Sequence, residues 1–328
     1  TRKIDGFNYE RVGGLQEAVR LLARKPGPSK VMAGGTDLMA GIEQGIYRPG
    51  LVVDISEVPE LRRQDADRTF IRLGAGLRLD ELESVEELSV HYPFIIDAVR
   101  QVATPQIRNM ATLGGNLCQE KRCWFFRNDF ECYKRGGWSC PCYAILGDNR
   151  NHAIVGAHRC QAVAPSDLAT VLAACDALVE VFGDGGRARR IPFARFYKGP
   201  GEPALRPSEI VIGVLLPMPA KKPVTLYEKI RSRESDFATV SAAVSVTLDN
   251  GGRVTAAGLA LGGVGYKPWR DPRADDAIVG TRLEDDAVDR AVRILMKNAF
   301  PLRDNAYKED LAAALMKRLA RRIREGGV

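Results

Sequence analysis

Between Ala111 and Asp167 a glycine turn, Thr112-Leu113-Gly114-Gly115-Asn116, runs into five closely spaced cysteines, Cys118, Cys123, Cys132, Cys140 and Cys142, with Cys160 following. Cysteines this dense are oxidised to one another, bound to metal, or left as reactive liabilities, and each outcome dictates a different fold for the segment. A disulfide framework is disfavoured, because the chain has seven cysteines, an odd number, and at 328 residues needs no covalent staple. That leaves metal. Cys123, Cys132, Cys140 and Cys160 have 8, 7 and 19 residues between them, unlike the short C-x2-C pairs of zinc ribbons and bacterial ferredoxins. An irregular loop can still wrap a cubane, since metal-sulfur bonds stabilise a loop with little apolar packing of its own. Spacing alone leaves [4Fe-4S] and zinc both open, with Cys142 and Cys118 as substitutes within the four. Trp124, Phe125, Phe126 and Tyr133 would wall a cluster from water or simply form loop core.

The remaining composition bounds the answer. With 45% hydrophobic residues the chain can bury ordinary cores, and its length argues for about two domains. No run approaches the roughly 18 apolar residues of a membrane span, and Thr1-Arg2-Lys3-Ile4-Asp5-Gly6 lacks a signal peptide's apolar centre, so cytoplasm is the expected location. The formal charge of +7 is spread among 41 acidic residues and concentrates only at Lys317 to Arg324. There Leu311, Leu315, Leu319 and Ile323 recur every four residues, with Glu309 and Asp310 before them and Gly326 after. That pattern predicts a helix whose charges complement its dipole rather than a nucleic-acid patch.

Along the chain, Leu15, Val19 and Leu22 predict a helix stopping at Lys25-Pro26-Gly27-Pro28, and Leu51 to Ile55 a strand. Between them Ala33-Gly34-Gly35-Thr36-Asp37-Leu38 is a glycine turn, with Thr36 expected to start a helix at which a phosphate could sit. A plain strand-to-helix connection has the same composition. Phe70 to Ala75 alternates as a strand does, and Ser166 is placed to cap a helix carrying Leu168, Val171, Leu172 and Cys175, the last as a core thiol. The proline-rich stretch 217–223 reads as a linker, and Asp249-Asn250-Gly251-Gly252 as the turn of a hairpin between 241–248 and 254–261.

These residues, in this order, resemble the FAD-binding medium subunit of the molybdenum hydroxylase family, which includes xanthine dehydrogenase, carbon monoxide dehydrogenase, aldehyde oxidoreductases and 4-hydroxybenzoyl-CoA reductase. The resemblance spans nearly the whole chain. Its carriers are Ala33 to Leu38, Ile107-Arg108-Asn109 leading to Thr112 to Asn116, Pro165-Ser166-Asp167, Gly199-Pro200-Gly201, Lys229 to Arg233, and Leu261 to Val264 with Lys267 to Arg270. It implies an α+β chain: a two-subdomain FAD-binding domain of PCMH type over 1–220 (about 1–60 and 61–220), then a smaller α+β domain over 224–328. FAD would extend between the glycine loops, with Ala33, Gly34, Gly35, Thr36, Asp37, Leu38, Arg108, Thr112, Gly114, Gly115 and Asn116 about it. Asp167 would accept from a cofactor hydroxyl, and Lys229 would lie near the flavin.

Most members run straight from the second glycine loop to the Pro-Ser-Asp motif, whereas this chain inserts a segment at about 118–160. It shares the insert with medium subunits of 4-hydroxybenzoyl-CoA reductase and a bacterial aldehyde oxidoreductase, where it carries a [4Fe-4S] cluster. The resemblance therefore assigns iron-sulfur to Cys123, Cys132, Cys140 and Cys160, with Cys142 as the substitute for Cys140. It also implies a large molybdenum-cofactor subunit holding the substrate site, a small [2Fe-2S] subunit, and an external carrier such as ferredoxin. Export to the periplasm on a partner's signal is compatible with it. A zinc-stabilised binding module and a stand-alone flavin oxidase are the competing readings, separated by iron and flavin content.

Overall fold

A computed structural model describes residues 6–24, 28–157, 159–183 and 185–326; the Lys25-Pro26-Gly27 stop and the first five residues lie outside them. Three short strands, β1 (Asn8–Arg11), β2 (Ser29–Met32) and β3 (Leu51–Asp54), form a parallel sheet in the order β1-β3-β2. Parallel neighbours need crossovers, and the helices Leu15–Ala23 and Leu38–Glu43 supply them. The first helix buries Leu15, Ala18 and Val19, the face that the periodicity predicts.

The next sheet is antiparallel. Strands β4 (Gln64–Ala66), β5 (Phe70–Gly74), β6 (Leu178–Phe182) and β7 (Ala188–Pro192), then a small ribbon of β8 (Tyr197–Gly199) and β9 (Glu202–Pro203), precede β10 (Ile210–Pro217). Their order is β4-β5-β10-β6-β7, with β8-β9 apart. The sequence Ile-Val-Ile-Gly-Val-Leu-Leu suits the central strand, where most side chains of β10 are buried. Everything from 75 to 177 is an excursion from this sheet. Within it the helices Pro93–Arg100 and Asp167–Ala174 pack together, and every residue of the second is buried. Ser166 caps that helix, its Oγ accepting from the Ala169 N–H at 3.0 Å and donating to Asn116 Oδ1 at 2.5 Å.

Strands β11 (Val224–Ile230), β12 (Val240–Leu248) and β13 (Val254–Gly262) form a meander, and Asp249 Oδ1 accepts from Gly251 and Arg253 to close the expected hairpin. Alternation along the strands divides the meander between two cores. Tyr227, Ala243 and Ala260 join the core of the Asp167–Ala174 helix, while Leu226, Val244, Leu259 and Leu261 meet the helices Asp285–Met296 and Tyr307–Arg324. The last helix is the one that its four-residue leucine repeat predicts, with Leu315, Leu319 and Ile323 buried. No helix among the described residues is long and apolar enough to cross a membrane.

Lys308 opens this last helix fully buried, its Nζ donating to the carbonyls of His152 (3.0 Å) and Gly263 (2.8 Å). Burial pushes its ammonium down to about 7. An unfolded chain keeps that proton up to roughly pH 10.4, so between the two values the unfolded state binds more protons and stability rises with pH. The slope is at most about 1.4 kcal/mol per pH unit. Lys308→Met should remove this contribution, and denaturant unfolding of both proteins from pH 7 to 10 checks it: parallel stability curves would refute the assignment.

Candidate cofactor sites

The two glycine turns meet across a cleft of about 300 Å³. Ala33, Gly34, Gly35, Thr36, Asp37 and Leu38 line one wall, Thr112, Gly114 and Gly115 another, with Ala75 and Gly76 at the end of β5 and Gly201 and Pro203 beside the ribbon. The two turns contribute differently. In the first, the successive backbone N–H groups of Gly34 to Leu38 have no acceptor among the described residues, the arrangement that receives an anion. In the second, the N–H groups of Leu113 and Gly114 are spent on the carbonyls of Leu77 (2.9 Å) and Ala75 (2.8 Å), and that of Gly115 on Thr112 Oγ1 (3.1 Å). What the second turn offers is surface: a Cβ on Gly115 would meet only Thr112 Oγ1, at 3.0 Å.

The expected helix start at Thr36 moves to Asp37, which stands at the N-cap without capping. Its carboxylate is engaged elsewhere: Oδ1 forms an ion pair with Arg122 (2.8 Å) and accepts from Arg127 (3.1 Å), and Oδ2 accepts from the N–H of Glu120 (2.8 Å). Asp37 is therefore a brace between the first turn and the cysteine-rich insert. Other predicted residues lie off the cleft lining. Arg108 donates to the Val102 carbonyl, and Asn116 holds Ser166.

Asp167 and Lys229 find each other. Lys229 Nζ donates to Asp167 Oδ2 at 2.7 Å and to the Gln101 carbonyl at 3.0 Å, while the Tyr227 hydroxyl donates to Asp167 Oδ1 at 2.7 Å. Both side chains are buried, at 1% and 5% exposure. Burial pushes the Asp167 carboxyl up, against the pull of Lys229 and Tyr227. The pair joins the Asp167–Ala174 helix to β11.

The insert closes around a second, smaller pocket lined by Cys123, Cys132, Cys142 and Cys160 with Phe125, Phe126, Tyr133 and Tyr143. Cys142, the expected substitute, is among the lining residues and Cys140 is not. The chain turns at Gly137, and Cys140 Sγ lies against Gly136, where a Cβ would stand 2.3 Å from it. Trp124, expected in the wall, is instead 45% exposed. None of the seven cysteines is joined to another in a disulfide. Burial pushes the Cys160 thiol up to about 11 and raises that of Cys123. Among the described residues no three His, Cys, Asp or Glu side chains are gathered closely enough to hold a metal ion. His152 is buried beside Cys123, its Nε2 3.3 Å from Sγ, and burial followed by the Lys308 charge holds its imidazole down to about 4.

Comparison with known proteins assigns the chain as a whole. The family profile for the FAD binding domain in molybdopterin dehydrogenase matches residues 5–219, and that for the CO dehydrogenase flavoprotein C-terminal domain matches 225–323. The chain belongs to the FAD-binding medium subunits of the molybdenum hydroxylase family. It is 36% identical over 314 residues to the aldehyde oxidoreductase FAD-binding subunit PaoB of Escherichia coli, covering 93% of this chain and 94% of that one. The carbon monoxide dehydrogenase medium chain of Afipia carboxidovorans is 25% identical, over 97% of this chain and 96% of its own. In fold, it superposes on reconstituted CO dehydrogenase from Oligotropha carboxidovorans with a TM-score of 0.80 at 24% identity, covering 99% of both chains. Quinoline 2-oxidoreductase from Pseudomonas putida 86 gives 0.77 at 23%, again over 99% of each.

This medium subunit binds FAD, and its cleft has the chemistry for a pyrophosphate: unpaired N–H donors on one side and glycine surface on the other. Its carboxylates are already neutralised. Glu209 is held by Arg189 at 2.6 and 2.8 Å, and Glu120 by Lys121 at 2.5 Å. Lys30 and Tyr47, which no motif marks, also line the medium subunit's cleft, with Lys30 Nζ 4.5 Å from the Tyr47 ring centre. Only their positions, Lys30 just ahead of the first glycine turn and Tyr47 just ahead of the predicted strand at 51–55, could have drawn notice.

Proposed function

We propose that this subunit relays electrons through two cofactors, FAD in the cleft and a [4Fe-4S] cluster on Cys123, Cys132, Cys142 and Cys160. The cleft and the thiol pocket sit at the two ends of one short segment: Cys118, Gln119 and Glu120 line the first, Lys121 and Cys123 the second. That observation carries the reading. Bound there, the flavin exchanges both single electrons and pairs, and the cluster single electrons. The chain supplies positions, donors and apolar cover. The thiol pocket suits the cluster in donor type, in number and in its aromatic wall, and its four thiols would have to draw closer together to hold it.

Substrate chemistry belongs to a partner, a large molybdenum-cofactor subunit, with a small [2Fe-2S] subunit between it and this one and a carrier such as ferredoxin outside. The likeness to an aldehyde oxidoreductase subunit supports an aldehyde as substrate. The two family profiles support a division into a FAD domain at 1–220 and a C-terminal domain at 224–328.

Flavin, iron and acid-labile sulfide per chain in anaerobically purified protein test the reading. About one FAD with four iron and four sulfide is expected for a single cubane; zinc in place of iron, or no metal, would remove the relay. Cys132→Ser and Cys142→Ser should each lose the iron and largely keep the flavin, whereas Cys140→Ser should keep both. Iron retained in Cys142→Ser and lost in Cys140→Ser would return the ligand to position 140. Gly115→Val should leave the flavin-free protein within about 1 kcal/mol of wild type while lowering flavin occupancy, because the added side chain projects into the cleft. Full occupancy would place the cofactor elsewhere.

A further inference from the structure

The end of the cysteine-rich insert is clasped by the C-terminal region at a series of backbone positions. Phe300 N–H donates to the Ile154 carbonyl (2.7 Å), Asp304 N–H to Asn149 Oδ1 (2.9 Å), and the Tyr307 hydroxyl to the Arg150 carbonyl (2.9 Å). Two fully buried side chains complete it. Asn305 Nδ2 donates to the carbonyls of His152 and Ala153, both at 3.2 Å, and Lys308 Nζ to the His152 carbonyl at 3.0 Å. Among the described residues no carboxylate pairs with this amine, whose burial is costly, and what it ties together is the backbone of His152 and that of Gly263, to which Nζ also donates at 2.8 Å.

Among the described residues the ring of that residue has one hydrogen-bonding contact. Its Nε2 stands 3.3 Å from Cys123 Sγ, and its Nδ1, shielded from solvent, has no hydrogen-bond partner among the described residues. Phe125 packs nearby, with ring centres 6.1 Å apart. A neutral imidazole carries one N–H, and only at Nε2 does that N–H meet an acceptor. A metal-bound cysteine sulfur has no proton to give, so it can only accept.

We propose that His152 donates a hydrogen bond from Nε2 to Cys123 Sγ and acts as a positioning residue of the iron-sulfur site, held there by Asn305 and Lys308. The inference rests on the cluster assignment above and deepens it. A hydrogen bond draws charge from the sulfur and stabilises the reduced, more negative cluster, so it raises the reduction potential.

The test uses the full chain with its co-purifying subunits, as wild type, His152→Leu and His152→Gln, measuring iron and sulfide content and then the cluster's midpoint potential by EPR-monitored titration. His152→Leu should keep wild-type iron and move to a lower potential. His152→Gln, whose amide N–H can stand where Nε2 stood, should return towards the wild-type value; a purely structural role would not distinguish the two variants in this way. Equal potentials in wild type and His152→Leu, or iron lost from both variants while wild type keeps it, would overturn the hydrogen-bond role without touching the cluster assignment. A wild-type protein without iron would overturn the cluster assignment and this inference together.

Discussion

Gly34→Ala is expected to damage the medium subunit more than any other one-carbon change in the glycine loops. A Cβ at this position would stand 1.7 Å from the Met110 carbonyl oxygen and 2.6 Å from its carbon. Those are backbone atoms, held by hydrogen bonds from the N–H groups of Met110 and Ala111 to the Ile107 carbonyl, so neither side can yield by a rotamer change. The loops must separate. Overpacking of this kind costs about 1 to 3 kcal/mol and more where backbone has to move. The cleft lies between the same loops, so flavin should be lost with stability. Denaturant unfolding of the flavin-free protein and flavin content on purification check both halves. A stable, flavin-replete Gly34→Ala protein would show that the loops do not touch in this way.

Asp167→Ala is expected to cost about 3 to 5 kcal/mol, the range for removing one partner of a buried ion pair. Lys229 would be left with its ammonium buried against the Gln101 carbonyl alone, and Tyr227 would lose the acceptor for its hydroxyl. This loss should appear in flavin-free protein. A carboxylate whose main task is to hold a cofactor hydroxyl would instead leave the apo-protein's unfolding midpoint unchanged and lower flavin affinity. Asp167→Ala with Lys229→Met should recover part of the loss, because the uncompensated charge goes with its partner.

The sequence carries its local features openly and its long-range ones hardly at all. The Tyr307–Arg324 helix, the hairpin at 249–252 and the Ser166 cap each rest on residues within a turn or two of one another, and each is visible as spacing. Residues 70–75 read as a strand, but besides the adjacent β4 their other partner, β10, lies far along the chain and nothing local announces that pairing. β1 is exposed throughout, so its parallel pairing with β3 has no hydrophobic signature. The glycine turns are legible as turns; that one offers its donors and the other spends them depends on where β5 ends. Asp167 and Lys229 each stand out in the sequence, but their partnership spans 62 positions and no spacing announces it. Cys140 and Cys142 are separated only by Pro141, and it is the turn at 137–140 ahead of them that leaves Cys142 in the pocket with Cys123.

Asp37 gives the arrangement a reciprocal property. Its carboxylate, in the wall of the flavin cleft, is held by Arg122, Arg127 and the N–H of Glu120, all from the stretch that leads into the thiol pocket. Whatever free energy an ordered insert lends to flavin binding through this brace, bound flavin must return to the ordering of the insert, since coupling between two binding events is symmetric. On the proposed two-cofactor reading, flavin binding and cluster assembly are then linked steps, each favoured by the other to the extent that the Asp37 brace carries free energy between them.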